Sequence, residues 1–309
     1  SPMDCAKAML EFGKKLGTGA DIRFVAVAEP DAARRAEFCR DHGISPENAA
    51  ADWRELLARP KLADCAFVCT QDNQHIAPAM AALDAGYHVV MEKPMSRYAD
   101  ELRALQARAE QTGRLVTVCH VLRYTPFFSK VKEILDSGVI GQVQSIQQIE
   151  NVAYWHQVHS FVRGNWRRED ETSPMILAKS CHDMDILLWM VGSHCTKVSS
   201  FGSLGHFRPE NAPDGAPARC LDGCPAADTC PYDAERIYLV IRKVVSLENT
   251  DESVREALKT GPYGRCVYRC DNDVVDHQVV NLEFENGATA SFTMCAFTWD
   301  GGRTVKIMG

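Results

Sequence analysis

The stretch "MEKPMS", residues 91–96, sets Lys93 between a glutamate and a proline directly after the apolar run "GYHVV". A lysine delivered by a strand tip into a partly desolvated cleft can hydrogen-bond a substrate hydroxyl and stabilise oxygen charge as the proton leaves. A surface turn would read the same way. Pro94 fixes the backbone behind the lysine and admits a cis Lys-Pro bond. Farther on, "LAKSCHDMDILLW", residues 177–189, spaces Lys179, His182 and Asp185 three apart, which gathers them on one helical face or at its entrance. Histidine, with a pKa near working pH, is the usual proton acceptor when an alcohol loses hydride. Helix capping by His182 and Asp185 would use the same spacing without chemistry.

Glu29 closes the run "RFVAVAE". An acid at the end of the second strand of a dinucleotide-binding unit accepts hydrogen bonds from the adenosine ribose and repels the extra phosphate of NADP; a solvated strand end fits equally. Thr70, Asp72 and His75, in "CTQDNQH", follow another buried run, where ligands of parallel sheets sit. Asp72 or Asn73 would also serve as a helix cap. The segment "NVAYWHQVHSFVRGNWRRED", residues 151–170, is dense in Trp, His and Arg. Aromatic faces stack on sugar rings and arginine forks bind hydroxyls or carboxylates, so His156, Arg163, Trp166 and Arg167 are candidate contacts for a polar cyclic substrate.

Eight of the 13 cysteines are scattered, several within apolar runs, which reads as reduced core thiols rather than a secreted disulfide framework. The other five cluster. "CLDGCPAADTC", residues 220–230, is C-x3-C-x5-C, and "CVYRC", 266–270, adds two more. Three or four thiolates can close a structural zinc site and so order a loop too polar to pack by itself. An iron-sulfur cluster is equally compatible with a three-cysteine loop, and free thiols are the remaining reading. The expected ligands are Cys220, Cys224 and Cys230, with Cys266 or Cys270 as the fourth.

The elements that must position these groups fall into two patterns. Up to about residue 120, short apolar runs ("DIRFVAVAEP", "ADCAFVCT", "YHVVMEKP", "RLVTVCH") alternate with helical stretches ending in glycine. Near-continuous apolar strands separated by amphipathic helices predict a parallel sheet covered on both faces, the doubly wound α/β pattern. The opening "SPMDCAKAMLEFGKKLG" resembles the first helix of such a unit, with no strand or glycine turn before it. We expect those parts to lie upstream of residue 1, and the chain to continue past "GGRTVKIMG", which reads as a strand. Beyond residue 121, "TPFFSKVKEILDSGVIG" and "HDMDILLWMVG" read as helices, "QVQSIQQIENV" as an alternating strand, and "HQVVNLEFENGATASFTMCAF" as a hairpin turning at "ENG". A polar, cysteine-rich insertion occupies residues 205–235.

Composition narrows the function. At 309 residues and 46% apolar, the chain can bury two cores. No apolar run reaches about 18 residues and no signal-peptide layout opens the chain, so a cytoplasmic protein is expected. A net charge of −7 without a basic stripe argues against nucleic-acid binding.

"TQDNQH", "AALDAGYHVVMEKPMS", "RYTPFF", "DSGVIGQV" and "CHDMDILLWMVG" occur in an order and spacing similar to the glucose-fructose oxidoreductase and inositol dehydrogenase superfamily, Gfo/Idh/MocA. The resemblance spans nearly the whole chain. It implies a Rossmann domain over 1–120 that binds NAD or NADP, and an α+β substrate-binding and oligomerisation domain over 121–309 with an open, largely antiparallel sheet. It further implies that Lys93 contacts nicotinamide ribose and substrate hydroxyl, and that His182 accepts or donates the proton. Glu29, Thr70, Asp72, His75 and Glu92 would line the cofactor, with Arg123 and Tyr124 near its nicotinamide end. Two positions depart from the pattern. Many members carry an aspartate four residues before the histidine, where this chain has Ala178 with Lys179 beside it. That lysine could lower the histidine pKa or itself bind substrate oxygen. Gln71 stands where proline is common.

The function these readings support is hydride transfer between nicotinamide, NAD favoured through Glu29, and a secondary alcohol of a sugar, cyclitol or related polyol. Two alternatives share the residues: redox-assisted glycoside hydrolysis using the same cofactor, and a non-enzymatic nucleotide sensor. The expected partners are a small polar substrate and further copies of the chain, with neither nucleic acid nor membrane.

Overall fold

A computed structural model describes residues 22–309, so the helix expected within residues 1–17 lies outside the described residues. The chain divides into two compact units, Ser1–Cys119 and His120–Gly309. No helix among the described residues is long and apolar enough to cross a membrane.

In the first unit, strands and helices alternate as the periodicity requires. β1 (Val27–Ala28) leads into α1 (Ala32–His42), whose N-cap Asp31 accepts from the Arg34 amide. Gly43 ends that helix at φ 65°, a left-handed conformation that glycine adopts without steric cost. β2 (Ala49–Ala50) pairs parallel with β1, and α2 (Trp53–Leu57) follows. β3 (Cys65–Val68), α3 (Ile76–Asp84), β4 (His88–Met91), α4 (Ala99–Thr112) and β5 (Val116–Val118) complete the unit. β3, β4 and β5 form a parallel sheet with β4 in the middle. The run "DIRFVAVAEP" yields only the two residues of β1, which pair with β2 alone, so the described ladders form two groups rather than one.

Alternation orients the central strand. Val89 and Met91 of β4 are buried and pack with Ala79, Ala82 and Leu83, one face of α3. The small alanines let the helix lie close on the sheet, and burying Leu83 contributes about 1.5–3 kcal/mol.

The second unit opens with α5 (Pro126–Asp136), capped by Thr125, and β6 (Ser145–Ala153). α6 (Tyr154–Gln157) passes into a π-helical turn, Val158–Arg163. α7 (Met175–Ala178) and α8 (Cys181–Val191) come next, then β7 (Cys195–Ser203). α9 (Ala234–Tyr238) and α10 (Asp251–Thr260) precede β8 (His277–Phe284), β9 (Thr289–Thr298) and β10 (Gly302–Met308). The sheet order is β10-β6-β9-β8-β7, parallel only between β6 and β9. Ile186, Leu187 and Met190 of α8 pack with Ile146, Val280, Leu282, Phe292 and Met294 of the sheet, while Val198 and Phe201 of β7 are exposed. The predicted open, largely antiparallel sheet is therefore the observed one.

The insertion packs against later segments: its Phe207 and Tyr232 join Ile237, Tyr238, Val254, Leu258, Val267 and Tyr268 in a second buried apolar cluster. Aromatic residues dispersed among prolines and acids supply a core that periodicity does not reveal, because the segment is mostly turns.

Candidate active-site residues

In the first unit the candidates stand at the carboxyl ends of neighbouring parallel strands. Backbone pairing runs past the strands proper: the Glu92 amide donates to Val68 O (2.9 Å) and the Cys119 amide to Met91 O (2.9 Å). Thr70 and Lys93 thus emerge two residues beyond β3 and β4 respectively, both half-buried. The Lys93–Pro94 peptide is cis. His75, 1% exposed, bridges the two tips: Nδ1 lies 2.7 Å from Pro94 O and Nε2 2.9 Å from Thr70 O. Thr70 Oγ1 donates to Gln74 O (3.0 Å), holding the turn that carries buried Asp72. Glu29 follows β1 and accepts from the Asp31 amide (3.0 Å), so one of its oxygens closes the turn into α1.

In the second unit, His182 is the second residue of α8 and half-buried. Its ring meets His120 edge-on, with centroids 6.1 Å apart. Asp185, one turn on, takes both ends of the Arg123 fork, Nε to Oδ2 at 2.7 Å and Nη2 to Oδ1 at 2.5 Å. His120 Nε2 lies 3.8 Å from the same carboxylate. That fork raises the Arg123 pKa, and the guanidinium also lies 5.6 Å over the Trp189 ring. Tyr124 is exposed.

Lys179 is drawn into a different group. It occupies the junction between α7 and α8, and its Nζ sits 3.0 Å from Oε1 of buried Glu150. Arg303 of β10 lies 2.5 Å from the other Glu150 oxygen and grips Asp183 through Nε (2.8 Å) and Nη2 (3.1 Å). Gln148 Nε2 donates to Asp183 Oδ1 (2.5 Å). Burial, then the neighbouring Asp183 charge, push the Glu150 carboxyl up against the pull of Lys179 and Arg303. Two acids and two bases are thereby neutralised in the interior beneath His182, and Lys179 is an anchor of that network. His120, Gln148, Glu150, Asp183 and Arg303 were not among the sequence candidates.

The Trp/His/Arg segment separates into different roles. Arg163 is fully buried, with Nε on Arg265 O (2.7 Å) and Nη2 on Tyr232 O (2.8 Å). The expected substrate contact is corrected for this residue, because the π-helical turn points it into the interior. Arg167 is engaged by Asp271 (3.0 Å) and Glu171 (3.0 Å). Trp166 packs on the main core of the unit, and His156 stacks on exposed Trp155 with centroids 5.5 Å apart. Cys220, Cys224, Cys230 and Cys266 line one cavity, and Cys270 lies outside its lining. Among the described residues no three His, Cys, Asp or Glu side chains are placed to hold a metal ion as they stand.

Strand tips of a parallel sheet carrying a lysine are joined in one chain to a largely antiparallel-sheet unit with a helix-entry histidine. The chain belongs to the Gfo/Idh/MocA family: residues 5–120 match the oxidoreductase family model with an NAD-binding Rossmann fold, and residues 128–309 match the Gfo/Idh/MocA C-terminal domain. It is 26% identical over 270 residues to YteT of Bacillus subtilis, covering 86% of this chain and 60% of that protein. It is 30% identical over 125 residues to levoglucosan dehydrogenase of Pseudarthrobacter phenanthrenivorans, covering 40% and 31%. A levoglucosan dehydrogenase solved with NADH shares the fold at TM-score 0.66 and 19% identity, over 93% of this chain and 62% of that one. The myo-inositol 2-dehydrogenase of Lactobacillus plantarum does so at TM-score 0.64 and 14% identity, over 95% and 68%. The matched region spans less than two thirds of the length of either curated relative.

Proposed function

We propose that the protein is an NAD(P)-dependent oxidoreductase that interconverts a secondary alcohol and a ketone on a sugar, cyclitol or related polyol. The observation that carries this reading is the fixing of Lys93 at the tip of the central parallel strand, with buried His75 holding the carbonyl of the following proline. Family membership and the dehydrogenase names of the relatives support it. The residues present fit a dinucleotide: the turn over Thr70–Gln74 and the Glu92–Lys93 tip stand at the carboxyl end of a parallel sheet, where such cofactors lie. Bound nicotinamide would supply or accept the hydride.

In this reading the Lys93 ammonium donates to the substrate oxygen and stabilises the charge that develops there. A ring nitrogen of His182 receives the hydroxyl proton on oxidation and returns it on reduction. Asp185, already bonded to Arg123, fixes the wall beside His182 and His120. Glu29 retains one oxygen for a ribose hydroxyl, which favours NAD over NADP. Titration of the full-length protein with NADH and NADPH, following energy transfer from its tryptophans, tests the proposal. Saturable binding with NADH preferred is expected; absence of binding to either would overturn it.

A further inference from the structure

The cysteine-rich insertion has its own architecture, separate from the Lys93 and His182 sites. Arg219 and Arg265 form an antiparallel bridge, flanked by hydrogen bonds from the Cys220 amide to Gly264 O (3.0 Å) and the Cys266 amide to Ala218 O (2.9 Å). The register sets Cys220 opposite Gly264 and Cys266 opposite Ala218, so the two cysteines are diagonal neighbours on one face of the pairing. Two tight turns, Ala227 amide to Cys224 O (3.2 Å) and Cys230 amide to Ala226 O (2.8 Å), fold the other two cysteines back. All four line one cavity of about 20 Å³. One water-sized occupant needs about 10–15 Å³, so the space admits a single small occupant.

The second observation is electrostatic. Arg163, 0% exposed, places Nη2 3.5 Å from the Cys220 sulfur, and its guanidinium lies 5.8 Å over the Tyr238 ring. No carboxylate among the described residues pairs with it; Asp233, which lines the cavity, caps α9 through the Arg236 amide (2.9 Å). A guanidinium stays charged, and a buried charge without a counter-charge is costly. Four neutral thiols do not supply one. A divalent ion bound by four thiolates carries a net charge of about −2, and an N–H donated to a ligating sulfur is the usual outer-shell support for such a centre.

We propose that Cys220, Cys224, Cys230 and Cys266 bind one zinc ion, with Arg163 as its buried counter-charge, fastening the insertion to the segment around Cys266. The side chains must turn toward the cavity centre as the metal enters, and each thiol that ligates releases its proton.

Elemental analysis of the full chain, purified without affinity tag or chelator, should find about one zinc per chain. Apoprotein titrated with Co²⁺ alone should develop a thiolate-to-metal charge-transfer band, weaker in Cys224→Ser, which keeps three of the four thiols. Arg163→Gln should weaken Co²⁺ binding about 10–100-fold. Should Cys224→Ser fail to fold, mercurial titration of the wild-type chain decides instead, zinc leaving in step with about four thiols. Zinc that is absent, or that leaves without thiol modification, would overturn the proposal. So would iron with acid-labile sulfide, or Co²⁺ binding without the band on a natively folded chain.

Discussion

Arg303 of β10 grips Asp183 of α8 through two hydrogen bonds, 2.8 and 3.1 Å, across 120 residues of sequence. Asp183 is 0% exposed, and Gln148 of β6 donates to the same carboxylate. The pair pins the helix that presents His182 to the sheet beneath it. Removing one partner leaves a charge buried without compensation, so Asp183→Ala should lose about 3–5 kcal/mol of stability. Urea unfolding checks this; a loss within the range of ordinary surface changes would show that the pair contributes little.

Lys93→Ala should separate catalysis from cofactor binding. The lysine is proposed to act on charge that develops at the reacting oxygen, which is absent from the binary complex with NADH. Removing such a donor costs about 10²–10³-fold in kcat. NADH affinity should change far less. An unchanged turnover rate would refute the role of Lys93.

Much of this was legible in the sequence because it is local. Helices stop at Gly43, Gly113 and Gly192 because each takes a left-handed φ, and runs such as "YHVVM" are short and apolar enough to be read as strands. The charged network under α8 is a long-range arrangement, and only half of its signal is local. Alternation in β6 places Ile146, Gln148, Glu150 and Val152 on the buried face, so two polar residues at core positions announced a need for partners. Nothing near them names Arg303. The composition of residues 151–170 does not say which way each side chain points, and the π-helical turn directs Arg163 inward.

Asp271 sets an acid limb. Hydrogen bonds from Arg167 (3.0 Å) and Arg265 (2.6 Å) hold its carboxyl well below the ordinary 3.8, Arg167 being the larger cause. A depressed folded-state pKa contributes stability that is present above the unfolded value and lost as pH falls through the folded one. Wild type should therefore exceed Asp271→Asn in stability above about pH 4, and the gap should narrow below it. The carboxylate is partly exposed, so salt should shrink the gap as well. Chemical denaturation of both proteins across acidic pH checks the trend, and a gap that widens on acidification would contradict it.

His75 offers the sharpest division between a residue that only stabilises and one that positions. Its ring joins the tips of β3 and β4 through Thr70 O and Pro94 O, adjacent to the backbone of Lys93. His75→Ala removes the ring N–H that one of these carbonyls accepts, which costs about 1–3 kcal/mol. If the ring does no more than that, the variant will melt earlier yet turn over normally at a temperature where it is folded. If it holds Lys93 in register, kcat will fall by about 10²-fold in the folded variant, the penalty for misplacing a reacting group by about 1 Å. We expect the second result, with NADH affinity changed far less than kcat. A folded His75→Ala enzyme with wild-type kcat would reduce the residue to a structural clamp.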